Sequence, residues 1–122
     1  MVANKRKRRI GKGKIIIIFG VLLLSFIFLF NYYASTSYYG TIEIRELKQD
    51  NNEYVVAVEG DFGVKKANFN EKETFNIVEN EEFRVGNITE IWNDLSEGKL
   101  FQVLLKAYDN RNEFTLERIY LD

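Results

Sequence analysis

The side chains able to do chemistry are few. The 122-residue chain contains no His and no Cys. That removes the usual general base at neutral pH, thiol nucleophiles and the common zinc and iron ligands. A serine nucleophile would need Lys or a similar base, and Ser25, Ser35, Ser37 and Ser96 sit in no recognisable motif. Carboxylates are the remaining route to acid–base work. Glu81-Glu82 is the densest pair, and in a charged turn it reads as solvated surface. Asp50-Asn51-Asn52-Glu53 and Asp109-Asn110-Arg111-Asn112-Glu113 are oxygen-rich, yet neither has calcium-loop spacing and Arg111 adds a cation, so both read as hairpin turns. Asn87-Ile88-Thr89 matches a glycosylation sequon but also suits a helix N-cap, the preferred reading. No catalytic residue, metal site or cofactor is therefore expected. Recognition offers more. Tyr38, Tyr39 and Phe62 are candidate ligand-facing aromatics, rings able to stack on a ligand such as a sugar, whereas Trp92 falls at helical spacing with Ile88 and Leu95 and reads as core.

The element that positions everything else is Ile15 to Phe30, IIIIFGVLLLSFIFLF, sixteen residues without a charge. As a helix it covers roughly 24 Å, and extension through Tyr32, Tyr33 and Ala34 brings residues 15–34 to the length of one bilayer crossing. Lys5, Arg6, Lys7, Arg8, Arg9, Lys12 and Lys14 precede it with no acid among them. Basic residues flanking a span stay in the cytoplasm and attract anionic lipid. Residues 1–14 are thus a basic cytoplasmic segment, residues 15–34 a transmembrane helix, and the C-terminal part is extracellular at the cell membrane. The apolar run is at or above the length of a signal peptide's, and the residues after it make a poor cleavage site, so a retained anchor is favoured.

Removing the seven N-terminal cations leaves ten Lys and Arg against all eighteen Asp and Glu, a net of −8 for the outer part. Such a potential repels phosphate backbones, and no nucleic-acid partner is expected. Residues 35–40, STSYYG, read as a short linker. Residues 41–122 read as one small domain that has no disulfide and stands on its core alone.

Within that domain Thr41 to Glu46 alternates like a half-buried strand, and Tyr54 to Val58 follows as its hairpin partner. Val64 to Lys72 suggests an edge or a loop. Glu73 to Val78 predicts a strand with Phe75 and Ile77 inward, and Phe83 and Val85 continue the alternation. Ile88, Ile91, Trp92 and Leu95 then share one helical face, with Asn87 and Glu90 placed for a capping box and Gly98 past the end, predicting a helix over 88–97. A strand from Phe83 to Trp92 is the competing reading. Leu100 to Tyr108 is apolar on both faces and predicts a central strand covered on both sides. Phe114 to Leu121 closes the domain, with a bulge near Arg118 where the apolar parity shifts.

Three strands, a helix and two strands is an order that resembles the oligonucleotide/oligosaccharide-binding (OB) barrel. The segment FRVGNITEIWND is also similar to a turn in small membrane-anchored extracytoplasmic barrels of Gram-positive bacteria, domains of unassigned function; Asn87 stands where those domains carry Asp. The expected fold is mainly β (α+β): a transmembrane helix, then a five- to six-stranded antiparallel OB-like barrel with one short helix before the last two strands. The expected function is non-catalytic: a single-pass membrane protein whose outer domain binds and modulates a protein partner in the cell envelope. The alternative is a cell-wall carbohydrate-binding module. A hydrolase using carboxylates alone needs two acids converging in a cleft.

Overall fold

The computed structural model describes residues 11–122. The chain divides after Ala34 into a helical unit and a sheet unit, Ser35–Asp122. Helix α1, Lys12–Tyr33, has no buried residue and is long and apolar enough to cross a membrane. Its β-branched start, Ile15 to Ile18, is a poor helix former in water; in lipid only a helix satisfies its own backbone. Lys12 and Lys14 lie in its exposed first turn. The expectations for Lys5, Arg6, Lys7, Arg8 and Arg9 fall outside the described residues.

The sheet unit holds β1 (Ser35–Asp50), β2 (Glu53–Gly60), β3 (Gly63–Phe69), β4 (Thr74–Glu79), β5 (Glu82–Asn87), helix α2 (Ile88–Ile91) with a 3-10 turn at Trp92–Asp94, then β6 (Leu100–Tyr108) and β7 (Phe114–Tyr120). They form one open sheet in the order β3-β2-β1-β6-β7-β4-β5. The domain is mainly β, and its short helix precedes the last two strands, as expected. Three expectations are corrected. The strands number seven, the sheet is not a closed barrel, and β4 pairs with β7 in parallel.

Residues 35–40 are also not a spacer. They open β1 and pair with Val103 to Tyr108 of β6. That pairing is long-range and leaves no local trace in a polar, Tyr-rich stretch. Only Ala34 separates α1 from the sheet.

The core forms on one face of the curled sheet. Ile42 and Ile44 alternate inward from β1; a register shift between Ile44 and Glu46 then moves the inward parity to Leu47. The expected bulge near Arg118 is present: Leu104 pairs with Arg118 but Leu105 with Leu116, leaving Glu117 as the extra residue. Phe75 and Ile77 face inward as expected. Phe83 and Val85 do not, being 63% and 67% exposed on the edge strand β5. Strand β6 is central but covered on one side only: Phe101, Val103, Leu105 and Ala107 are buried while Leu100 is 62% exposed.

Residues 88–97 are helical rather than strand in their first half, though the helix is shorter than expected. The Asn87 side chain accepts from the Thr89 amide at 3.1 Å, and the Asn87 amide donates to Glu90 at 2.8 Å, a complete capping box. Ile88, Ile91 and Leu95 close one end of the core. Gly86 makes the box possible, because a Cβ there would meet the Glu90 carboxylate and come within 2.6 Å of Ile77 Cδ1. Ile77 is fully buried and cannot give way. Gly86→Ala is expected to cost about 1–3 kcal/mol through overpacking, read as a lower urea midpoint with unchanged slope.

Candidate functional site

Successive strand residues point to opposite faces, and β1 uses this to separate the rings expected to face a ligand. Tyr38 turns inward and packs edge-on against Phe62, ring centres 4.9 Å apart, both partly buried against the core. The Tyr38 ring folds over Gly40, and its hydroxyl donates to the Thr41 carbonyl at 3.0 Å. Tyr39 lies on the other face, 58% exposed, with its ring 6.2 Å from that of Tyr120. The three do not form one groove. Trp92 is partly buried and stacks edge-on with Tyr54 at 4.9 Å, a packing role as expected. Glu81 and Glu82 sit at the tip of the β4–β5 hairpin, where Asn80 and Glu81 adopt φ of 53° and 66°, and both acids are exposed. Among the described residues no three acidic side chains gather where a metal could be held.

The outer face carries a different cluster. Register across five strands aligns Tyr39, Leu104, Arg118, Asn76 and Val85. The next outward row is Thr41, Gln102, Tyr120, Val78 and Phe83. Val78 is 5% exposed although it faces outward, flanked in register by Tyr120 and Phe83. Arg118 lies 5.1 Å from the Phe83 ring centre and donates to the Tyr120 hydroxyl at 3.2 Å; its Nε is buried without a hydrogen-bond partner. A shallow cleft of about 510 Å³ opens beside it, lined by Asn76, Val85, Leu104, Glu117 and Arg118 among others. Aromatic rings, a desolvated Arg and exposed aliphatics in one patch are the composition of a protein-binding surface.

A second groove, of about 750 Å³, lies between β3 and β7 and adjoins this cleft at Thr74, Phe75 and Leu116. The two strands touch at one parallel bridge, Lys66 with Glu113, where the Lys66 amide donates to the Asn112 carbonyl at 2.9 Å. Lys65, buried at 7% exposure, clamps this end: its ammonium donates to the carbonyls of Tyr108 at 2.6 Å and Arg111 at 2.8 Å. The Arg111 guanidinium stacks 3.8 Å from the Tyr108 ring centre and pairs with Glu113 at 2.6 Å.

Comparison with known proteins finds no matching protein family, no matching curated protein and no matching solved structure. The site therefore rests on this chain's own residues. Sequence reasoning singled out Tyr39 but not Arg118, Tyr120, Phe83 or Val85 as its neighbours. The usable signal was the surplus of apolar residues on both faces of β6 and beyond the core parity of β5.

Two outcomes test this geometry. Arg118 and the Tyr39 hydroxyl, in that order of effect, lower the Tyr120 pKa below the ordinary tyrosine value. The hydrogen bond to Tyr120 raises that of Tyr39. Raising the pH should therefore ionise Tyr120 before Tyr39, followed by tyrosine Cζ chemical shifts, and Arg118→Gln should move the Tyr120 titration upward. Lys65→Met removes the ammonium from two part-buried carbonyls, those of Tyr108 and Arg111, and is expected to lower stability by about 1–3 kcal/mol in urea unfolding.

Proposed function

We propose that the chain is a single-pass membrane protein whose outer domain binds and modulates a protein partner in the cell envelope, without catalysing a reaction. The outer-face patch carries this reading. Phe83, with Arg118 over its ring, and Val85 remain 63% and 67% exposed on the face that also carries Tyr120 and Tyr39, although inward sites on the same sheet are filled. A small domain that leaves large apolar side chains clustered in water marks a contact surface. The acidic charge of the domain favours a partner with basic groups around its apolar contact.

The anchoring half of the reading is supported by α1 and by the seven basic residues before or at its start. They favour a cytoplasmic N-terminus and an extracytoplasmic sheet. The domain is also similar to OB-type domains in its element order. Strands β1, β2 and β3, the short helix, and β6 and β7 follow that order, with β4–β5 as an added hairpin. The carbohydrate alternative drew on Tyr38, Tyr39 and Phe62 as one cluster, and their separation onto two faces takes that support away.

Protease added to wall-stripped intact cells is expected to destroy an epitope at the C-terminus while a cytosolic control survives. Full-length protein in the soluble cytosolic fraction would overturn the anchoring. For the contact surface, Phe83→Ser with Val85→Thr should abolish a cross-link seen with the wild-type chain in membranes. An unchanged cross-link would remove the patch from the reading.

A further inference from the structure

The groove between β3 and β7 is a slot in the hydrogen-bond network, and its walls are defined by strand parity. On β3 the Lys66 amide points away from β2, toward Asn112. Main-chain groups two residues on in a strand point the same way, so those of Asn68 also face the groove. On β7 the Glu113 carbonyl accepts from the Tyr108 amide and so points toward β6. The main-chain groups of Phe114 and Leu116 then point the other way, into the groove. Past the Lys66–Glu113 bridge no further pairing joins β3 to β7 among the described residues. The far side of β7 is next paired at Arg118, by Asn76 of β4.

The chain between β3 and β4 explains why the slot stays open. Asn70 caps a tight turn, its side chain accepting from the amides of Lys72 at 2.8 Å and Glu73 at 2.9 Å. Strands β3 and β4 thus flank β7 in succession, with the turn interrupting the line between them. The gap lies opposite Phe114 to Glu117. Below it the Phe69 ring packs against Phe114, centres 6.3 Å apart, and against Phe75 at 5.8 Å. Asn68 and Thr115 are exposed at the rim.

We propose that this slot receives a short extended peptide segment of the protein partner, which adds as a strand between β3 and β7. The occupant follows from the chemistry of the walls. Strand parity turns the main-chain N–H and C=O of Asn68 and Leu116 into the slot from its two sides, groups that another peptide backbone matches and a sugar or lipid chain does not. The apolar floor suits every second side chain, and the alternate ones point to solvent. The rim carries Lys66, Glu73, Arg111 and Glu113, mixed in sign, which suits a segment of low charge. The inference deepens the partner-binding reading and rests on it for the identity of the ligand class.

The test uses the full-length chain in lipid nanodiscs, labelled for amide NMR. The probe is a capped five-residue peptide of alternating Thr and Val, beside the same peptide N-methylated at alternate positions. The Asn68 and Leu116 amides should exchange fast in the free protein. With the unmodified peptide both should shift and slow by about tenfold or more, as two main-chain hydrogen bonds require. The N-methylated peptide should leave them unmoved. Asn68→Pro removes one wall donor on an edge strand, where proline is tolerated, and should weaken binding by about fivefold or more. A second variant separates the wall amide from the side chain: Asn68→Ala keeps the N–H and should bind the peptide as the unsubstituted chain does. The inference is overturned if neither amide responds at saturating peptide, if the N-methylated peptide binds equally, or if the shifts fall on Phe83 and Val85 instead. None of these results touches the membrane anchoring or the outer-face cross-link, which stand or fall by their own measurements.

Discussion

Phe69 lies on the first edge strand of a seven-stranded sheet, and its ring meets Phe114 and Phe75 on strands that stand well apart from it in sheet order. A single sheet with one short helix has no second layer to cover its apolar face. It must bury that face by curling until its own strands meet. The domain has no disulfide to help, so these ring contacts carry the closure. The groove beside them is a consequence. The curl brings β3 to β7 at Lys66 and Glu113, where Lys65 holds the hairpin carbonyls, but β3 ends at Phe69 before it can line the rest of β7.

The same constraint sets the outer face. Inward positions are limited by the circumference of the curl, and the sequence carries more large apolar residues than they can take. Val78 is partly rescued, buried on the outside between the strands of Tyr120 and Phe83. Ala57 is buried on the outside too, in register with Glu46 and Lys66, whose side chains pair at 3.7 Å. Phe83 and Val85 have no such roof. Burying Phe83 would be worth about 2 kcal/mol, so leaving it exposed at a strand edge is a standing cost and an aggregation risk unless something covers it.

Much of this was legible from residue pattern. Ile42 with Ile44 and Phe75 with Ile77 marked strands by period two, and Asn87 with Glu90 marked the helix start by its reciprocal cap. The parity shift after Leu116 located the bulge that leaves Glu117 unpaired. What pattern could not supply was which side an alternating strand turns inward. Phe83 and Val85 alternate as well as Phe75 and Ile77 do, but a hairpin's second strand has its facing fixed by the turn and by its neighbour's register. Residues 35–40 were opaque for another reason, since their order comes from β6, some sixty-five residues later in the chain. Likewise the parallel pairing of β4 with β7 has no sequence signature of its own.

Strand β6 shows how the two surfaces are linked. Its inner residues Val103 and Leu105 are among the most buried in the domain, while its outer residues Leu100 and Leu104 contribute to the exposed side. The apolar character that read as two covering layers is better explained by one layer and one contact surface. A partner that covers the outer patch and also threads a segment past Asn68 would engage two adjoining sites on one curled sheet, which meet at Thr74, Phe75 and Leu116. Each contact alone is small, but the second would be made within the same complex, at a high effective concentration. Such a partner needs no large interface at either site to be held.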